Sequence, residues 1–318
     1  MQRLNVCDLN AIETRVAAWI CQCNPLLDVF QQKRDPYLDF AVKMTQIPYE
    51  RLDAMLHSKD PAEKATAKDH RQIAKPGVLG CVYRLSGGGW GKNKYGDPIK
   101  TGLWGYAENM GVEMSQDKAH EIVRVFRDSY EEIKNFWYHS ERMIKEVIDG
   151  PKKAVRYLGP DNCIKLDKIT IKGRLPLFRM QLPSGRYLHY MDASIEDTKM
   201  PWKDSETGED IYKPTFTYCG IDSVTKQWTR IAAHGGKTLE NATQGVARDV
   251  LAEALLRADQ KDMAIVLHVH DEGASISEDD PFSPGLPEWL DCMSKPMPWA
   301  PTLPLGADGY EDFYYHKN

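Results

Sequence analysis

Residues 263–277, MAIVLHVHDEGASIS, form an apolar run with His270, Asp271 and Glu272 at its middle. The run predicts a β-strand that carries a carboxylate. Residues 3–8, RLNVCD, predict a second strand that ends at Asp8 and leads into the helical pattern AIETRVAAWI. Because hard divalent cations prefer oxygen ligands, Asp8 and Asp271 could support phosphoryl transfer with two metal ions if the fold brings them together.

The segments between these two strands are first helical and then rich in strand-forming residues. Residues 61–83 predict a helix, as does a long amphipathic stretch that opens at Ser115 and stops at Gly150. A glycine-rich segment between them, SGGGWG at 86–91, predicts a flexible loop. Residues 155–230 predict strands and hairpins, residues 240–258 predict another helix, and the Pro-rich end predicts an irregular tail. Since helices and strands are segregated along the chain, we expect an α+β fold.

Composition and charge narrow the possible functions. The 318 residues carry a net charge of −5, and no apolar segment is long enough to span a membrane, so we expect no membrane partner. Seven cysteines without a CxxC pair favour reduced, buried thiols and a cytoplasmic location. Residues 64–100 are strongly basic, whereas residues 275–318 are strongly acidic. Such polarity is compatible with a basic groove for polyanions, although a solvated helix face remains an alternative.

The basic helix offers cations at a regular spacing. Arg71, Lys75, Leu79 and Tyr83 recur every four residues, so they share one helix face. Its cationic end could grip a triphosphate, although this spacing also fits an ordinary amphipathic helix. Pro76 lies inside the pattern and predicts that the helix starts or kinks near Lys75.

Three segments, in chain order, resemble the polymerase motifs of family A (DNA polymerase I-like) DNA polymerases, in a form typical of phage enzymes. They are DLNAIETR at 8–15, RQIAKPGVLGCVY at 71–83 and HVHDE at 268–272; LPSGR at 182–186 and ENATQGVARD at 240–249 are supporting matches. The resemblance implies a palm with an antiparallel sheet and a helical fingers subdomain, without the thumb and exonuclease. It implies palm at 1–47, fingers at 48–178, and palm plus a C-terminal tail at 179–318.

The resemblance also implies roles for individual residues. Asp8 and Asp271, with the carbonyl group of Leu9, would bind two Mg²⁺ ions, for which Mn²⁺ is an alternative. Glu13 resembles the steric gate that excludes the ribose 2′-hydroxyl. Lys75 would act as the acid for the leaving pyrophosphate. The expected nucleotide-binding residues are Glu13, Arg71, Lys75, Leu79 and Tyr83, and the expected primer-template contacts are Lys237, Asn241, Gln244 and His270.

The function implied is template-directed addition of deoxynucleotides to a primer 3′-hydroxyl. The expected partners are a DNA primer-template, a dNTP and a second polypeptide of a split polymerase. This polypeptide would carry the thumb, with or without an exonuclease, and the expected location is the cytoplasm of a bacterial or phage-infected host. Alternatives are a single-subunit RNA polymerase-like enzyme, which Glu13 argues against, a catalytically inactive primer-template-binding subunit, and a metal-dependent nuclease. Leu79 departs from the Phe or Tyr of many relatives, so sugar discrimination could differ.

Overall fold

A computed structural model of the chain describes residues 2–93, 95–172, 175–204, 206–222, 224–280 and 282–316, apart from the side chain at position 201. The strands are β1 (Gln2–Leu9), β2 (Trp90–Lys92), β3 (Pro98–Lys100), β4 (Val155–Leu158), β5 (Ile164–Ile171), β6 (Leu175–Gln181), β7 (Tyr187–Lys203), β8 (Asp210–Ile221), β9 (Trp228–Ala233), β10 (Ala264–Val269), β11 (Glu272–Glu278) and β12 (Ala307–Asp312). The helices are α1 (Ile12–Cys21), α2 (Asn24–Gln31), α3 (Pro36–Thr45), α4 (Tyr49–Leu56), α5 (Pro61–Cys81), α6 (Gly102–Asn109), α7 (Gln116–Ser129), α8 (Glu131–Asp149), α9 (Gly235–Asp259) and α10 (Leu286–Ser294). Helices and antiparallel sheets are segregated, which confirms the predicted α+β class.

A four-stranded antiparallel sheet, in the order β10-β11-β1-β12, brings the two ends of the sequence together. The predicted strand at 3–8 is confirmed as β1. The single strand predicted over 263–277 is wrong, because the segment forms a β10–β11 hairpin whose two-residue turn is His270 and Asp271. His270 has a φ of 53°, which lets the chain reverse at this point. The irregular tail is also wrong, since β12 pairs with β1 along its length.

Close packing against α10 covers one face of this sheet. Cys7 is fully buried, and its neighbours on the adjacent strands are Gly273 and Gly309. A Cβ atom at Gly273 would lie 2.5 Å from Cζ2 of Trp289, whose indole N–H donates to the Gly273 carbonyl at 3.0 Å. Because successive side chains of a strand alternate between faces, α10 covers the Cys7 face and Asp8 lies on the opposite face.

Helix α5 runs without interruption from Pro61 to Cys81. The prediction that the helix starts near Lys75 is therefore wrong, and Pro76 is buried within the helix. Contacts with α3, α4, α6 and α7 surround this part of α5. Tertiary packing thus offsets the hydrogen bond that the proline cannot make.

The stretch from Ser115 to Gly150 is broken into two helices. Ser115 caps α7 as predicted, since its hydroxyl accepts from the Lys118 N–H at 3.1 Å. The single long element is wrong, however, because fully buried Tyr130 adopts φ −132° and ψ 62° between α7 and α8. Burial of this side chain in the core fixes the bend.

The glycine-rich loop at 86–91, which the sequence predicts to be flexible, is tied by hydrogen bonds to the segment at 101–104. Gly88 has a φ of +92°, and a Cβ atom there would lie 1.8 Å from the Thr101 carbonyl oxygen. Backbone N–H groups of Leu103 and Trp104 donate to Ser86 and Gly87 at 2.7 and 3.1 Å. Glycine is therefore needed for a close crossing of two backbone segments.

Residues 155–233 form a separate six-stranded meander in the order β4-β5-β6-β7-β8-β9. The predicted fingers–palm boundary at 178 falls inside β6. Residues 182–186, LPSGR, make the turn between β6 and β7, where Arg186 forms an ion pair with Asp249 of α9 at 2.7 Å. Among the described helices, each is too short or too polar to cross a membrane.

Candidate active site

Asp8 lies in β1, and Asp271 lies in the turn that leads into the neighbouring strand β11. The backbone N–H of Leu9, next to Asp8, donates to the carbonyl oxygen of Asp271 at 3.0 Å. One residue further, Glu272 of β11 lies directly opposite Asp8. Both aspartates are half-buried. The fold therefore brings the backbone at Asp271 next to that at Asp8, although the two residues are far apart in the sequence.

A third carboxylate, Asp308, lies directly opposite Asp8 on the other side of β1. Residues directly opposite one another in an antiparallel pair point to the same face of the sheet, so Glu272 and Asp308 flank Asp8. The Asn10 side-chain amide donates to Asp308 at 2.8 Å, and the hydroxyl of Tyr315 donates to Glu272 at 2.9 Å. Sequence reasoning missed Asp308 because the Pro-rich end of the chain gave no sign of β12.

The donor set at this end of the sheet consists of carboxylate and carbonyl oxygens, which suit Mg²⁺ or Mn²⁺. In the part of the chain that is described, no group of three or more His, Cys, Asp or Glu side chains converges on one metal position. A cation held by Asp8 and Asp271 would thus complete its shell with backbone carbonyls, water or substrate oxygens, as Mg²⁺ commonly does.

Arg71 and Lys75 lie one turn apart on α5 and share a partner that the sequence did not reveal. Their cationic groups lie over the ring of Tyr37, at 5.2 and 5.8 Å from its centroid. Arg71 donates to Asp35 Oδ2 at 2.8 Å, while Asp35 Oδ1 accepts the Tyr37 and Leu38 N–H groups at the start of α3. Burial, followed by the nearby Asp35 carboxylate, raises the pKa of Tyr37 to about 12. A neutral phenol and a fixed carboxylate therefore orient the two cations.

A hydrogen bond joins the turn after α5 to α1, because the predicted helix over 61–83 ends at Cys81 and Tyr83 lies beyond it. The hydroxyl of Tyr83, at the end of the basic segment, donates to Glu13 Oε2 at 3.3 Å. Burial, together with the Glu13 carboxylate, holds the pKa of Tyr83 well above its usual range, so the hydroxyl remains a donor. Glu13 also raises the pKa of Tyr37 and of Tyr106, with burial as the larger cause in each. Leu79 is half-buried and packs against the core, one turn before Tyr83.

Helix α9 forms one wall of a groove of about 500 Å³. The side-chain amide of Asn241 donates to the buried hydroxyl of Tyr190 at 3.1 Å. Gln244, the next predicted contact residue, is exposed in the same groove. The other lining residues combine aromatic, cationic and small side chains: Arg186, Tyr187, Leu188, His189, Tyr218, Gly245 and Arg248. Aromatic and cationic side chains together favour nucleic-acid binding.

The two remaining predicted DNA-contact residues lie outside this groove. Lys237, in the first turn of α9, forms an ion pair with Glu240 at 3.1 Å. His270 is exposed in the hairpin turn next to Asp271. The cysteines are thiols as predicted, and Cys7, Cys21 and Cys23 are buried.

The chain matches no protein-family model. The chain is similar to the DNA polymerase of Bacillus phage SP02, with 31% identity over 315 residues. The matched region covers 98% of this chain but only 41% of the length of that curated relative. Among solved structures, the POL domain of Pol1 from M. smegmatis, in complex with DNA primer-template and dNTP, aligns with a TM-score of 0.48 and 17% identity, over 98% of this chain and 39% of that chain. The sequence match confirms the predicted resemblance to phage DNA polymerases.

Proposed function

We propose that this phage DNA polymerase-like chain carries the nucleotidyl-transfer site of a template-directed DNA polymerase. The observation that carries the proposal is the position of Glu13. It follows Asp8 by five residues and accepts from Tyr83 at one end of the basic segment. In this proposal, the four-stranded sheet that carries Asp8 and the basic helix α5 therefore face one cleft.

In this proposal, Asp8, Asp271 and the Leu9 carbonyl hold the metal ions. When bound, divalent cations would lower the pKa of the primer 3′-hydroxyl and neutralise charge on the triphosphate. Arg71 and Lys75 bind the β- and γ-phosphate oxygens. The primer 3′-hydroxyl gives its proton to water, its oxygen bonds to the α-phosphorus, and the bond to pyrophosphate breaks. Lys75 gives a proton to the leaving pyrophosphate. Its ammonium group makes no ion pair within the described residues, which leaves it available for this role.

Sugar selection is assigned to Glu13, together with Leu79 of α5 and Tyr83 in the turn that follows it. A carboxylate held by the Tyr83 hydroxyl at 3.3 Å has a restricted position, and it can exclude a 2′-hydroxyl sterically. This feature favours a DNA polymerase over the RNA polymerase-like alternative. Primer-template contacts are assigned to Asn241 and Gln244 in the α9 groove, and further contacts are assigned to Lys237 in the first turn of α9 and to His270 in the β10–β11 turn.

Primer extension with Mg²⁺ tests the assignment of the aspartates. We expect Asp8→Asn and Asp271→Asn each to slow extension by about 100-fold or more, because each removes a charge that acts on the transition state. Glu278→Gln, on the distant end of β11, is the matched control and should extend normally. Extension by either aspartate variant at the wild-type rate would exclude the proposed site. Parallel reactions with ribonucleotides separate the two polymerase alternatives, and degradation of the primer without nucleotide would indicate a nuclease.

We further propose that a second polypeptide supplies the part of the polymerase that this chain does not match. An exposed apolar edge supports this proposal: β10 is an edge strand of its sheet, and Val266, Leu267 and Val269 are about half exposed. Unprotected edge strands pair readily with other chains. The free thiols are compatible with assembly in the cytoplasm of a phage-infected bacterium. Purification from the native host should yield a complex, and a monomer with full processivity would contradict the proposal.

A further inference from the structure

A basic cavity of about 390 Å³ lies on the side of the helical region, formed by α7, α8 and the loop after α5. Three cationic side chains line it, Arg124, Arg127 and Lys134, against one carboxylate, Asp128. Within the described residues none of these four side chains takes part in an ion pair. The cavity thus carries uncompensated positive charge, which suits an anionic ligand.

Arg127 has a buried N–H group that lacks a hydrogen-bond partner. Among the described residues, its Nε has no acceptor, and its guanidinium group makes one long hydrogen bond, 3.4 Å to the Leu85 carbonyl oxygen. A buried, unpaired N–H group is costly and is usually satisfied by a ligand or water. A phosphate oxygen is a suitable acceptor, because guanidinium groups bind phosphates with paired hydrogen bonds.

Two contacts fix the cavity beside the end of α5. The Trp137 indole N–H donates to the Val82 carbonyl at 2.9 Å, and Arg127 reaches Leu85 as described. Both acceptors are within two residues of Tyr83. If Tyr83 lies beside the templating base, as the proposed function holds, then the unpaired strand beyond that base passes this cavity.

We propose that the cavity binds the phosphodiester backbone of the unpaired template strand, through Arg124, Arg127 and Lys134. This inference rests on the proposed function for its choice of strand. The same phosphate chemistry could come from a free nucleotide, and the two sources predict different competitors. A free triphosphate in the cavity would make binding of single-stranded DNA sensitive to dNTP.

Fluorescence anisotropy of three labelled probes tests the proposal in the absence of nucleotide: a duplex with a 5′ template overhang, the same duplex with blunt ends, and a dT16 oligonucleotide. The variant is Arg124→Gln/Lys134→Gln. The matched control is Lys118→Gln/Lys145→Gln, which removes one cation from each of the same helices outside the cavity. If two phosphate contacts are lost, the slope of log affinity for dT16 against log salt concentration should become shallower by about 1.4. Between 1 M and 0.1 M salt, the variant should therefore gain about 25-fold less affinity than the wild type.

We expect the cavity variant to lose affinity for dT16 and for the overhang, with little change for the blunt duplex and none in the control. Equal loss for blunt and overhang probes, no loss at all, or displacement of dT16 by dNTP would overturn the proposal. Asp128→Asn should have the opposite effect on affinity, because it removes the carboxylate of the cavity. It should tighten dT16 binding, which a misfolded protein would not do. If dT16 binding depends on the cavity while primers are not extended, the proposed function fails and this inference stands.

Discussion

Replacement of Tyr83 by phenylalanine tests how the chain selects the sugar. The substitution removes a hydroxyl that donates to Glu13 at 3.3 Å and leaves the ring in place. A hydrogen bond to a charged acceptor contributes about 1.5–3 kcal/mol. Because 3.3 Å is long for an O–H donor, we take the lower figure of about 1.5 kcal/mol, which corresponds to roughly a tenfold change. We therefore expect Tyr83→Phe to lower the preference for dCTP over CTP about tenfold.

The assay is the ratio of kcat/KM for the two nucleotides in single-nucleotide primer extension. Glu13→Ala should lower this ratio further, since it removes the blocking side chain itself. If Tyr83 acts only through Glu13, the double variant should match Glu13→Ala alone, with a coupling energy of about 1.5 kcal/mol. Tyr106→Phe is the control, because Tyr106 also lies near Glu13 yet makes no described hydrogen bond to it. Additive effects of the two substitutions would refute the reasoning.

Three further predictions concern stability. Gly273→Ala places a methyl group 2.5 Å from Trp289 and should lower the free energy of unfolding in urea by about 1–3 kcal/mol; an unchanged midpoint would contradict the packing described. His234 caps α9 through Nδ1, which accepts from the Lys237 N–H. Burial lowers the pKa of His234 below the ordinary 6.5, so the stability that the cap contributes is present above pH 6.5 and is lost on acidification. His234→Asn should therefore flatten the change in Tm between pH 7.5 and 5.5. Burial of Asp167 opposes ionisation, but hydrogen bonds from Arg179 outweigh burial and lower the pKa of Asp167 below 3.8. The contribution of this ion pair to stability is therefore lost as the pH falls below that value. Thermal melts at pH 7 and 3 should show less acid destabilisation in Asp167→Asn than in the wild type.

Local patterns predicted much of the fold because the elements near the candidate site have strong signals. The succession of the short strand β1 and the apolar stripe of α1 is visible in sequence. The Ser115 cap of α7 was visible for the same reason, since a serine before an amphipathic run is a specific signal. These features depend on residues close together in the chain.

Features fixed by distant contacts could not be predicted in this way. Strand β12 has the sequence ADGYED, without apolar alternation, and exists because β1 offers it an edge to pair with. Asp308 therefore escaped notice, as did Asp35 and Tyr37, whose significance comes from their position under α5. Pro76 led to a predicted helix start that does not exist, since helix propensity accounts for the missing hydrogen bond but not for the contacts that surround the proline.

The order of strands in the acidic sheet has a consequence for biosynthesis. β1 lies between β11 and β12, so both its neighbours come from a part of the chain that the ribosome makes much later. During translation β1 has two open edges, and any premature stop before residue 307 leaves at least one of them exposed. Truncated products should therefore aggregate rather than accumulate as folded fragments, and a nascent chain would benefit from chaperone protection until translation of β12 is finished.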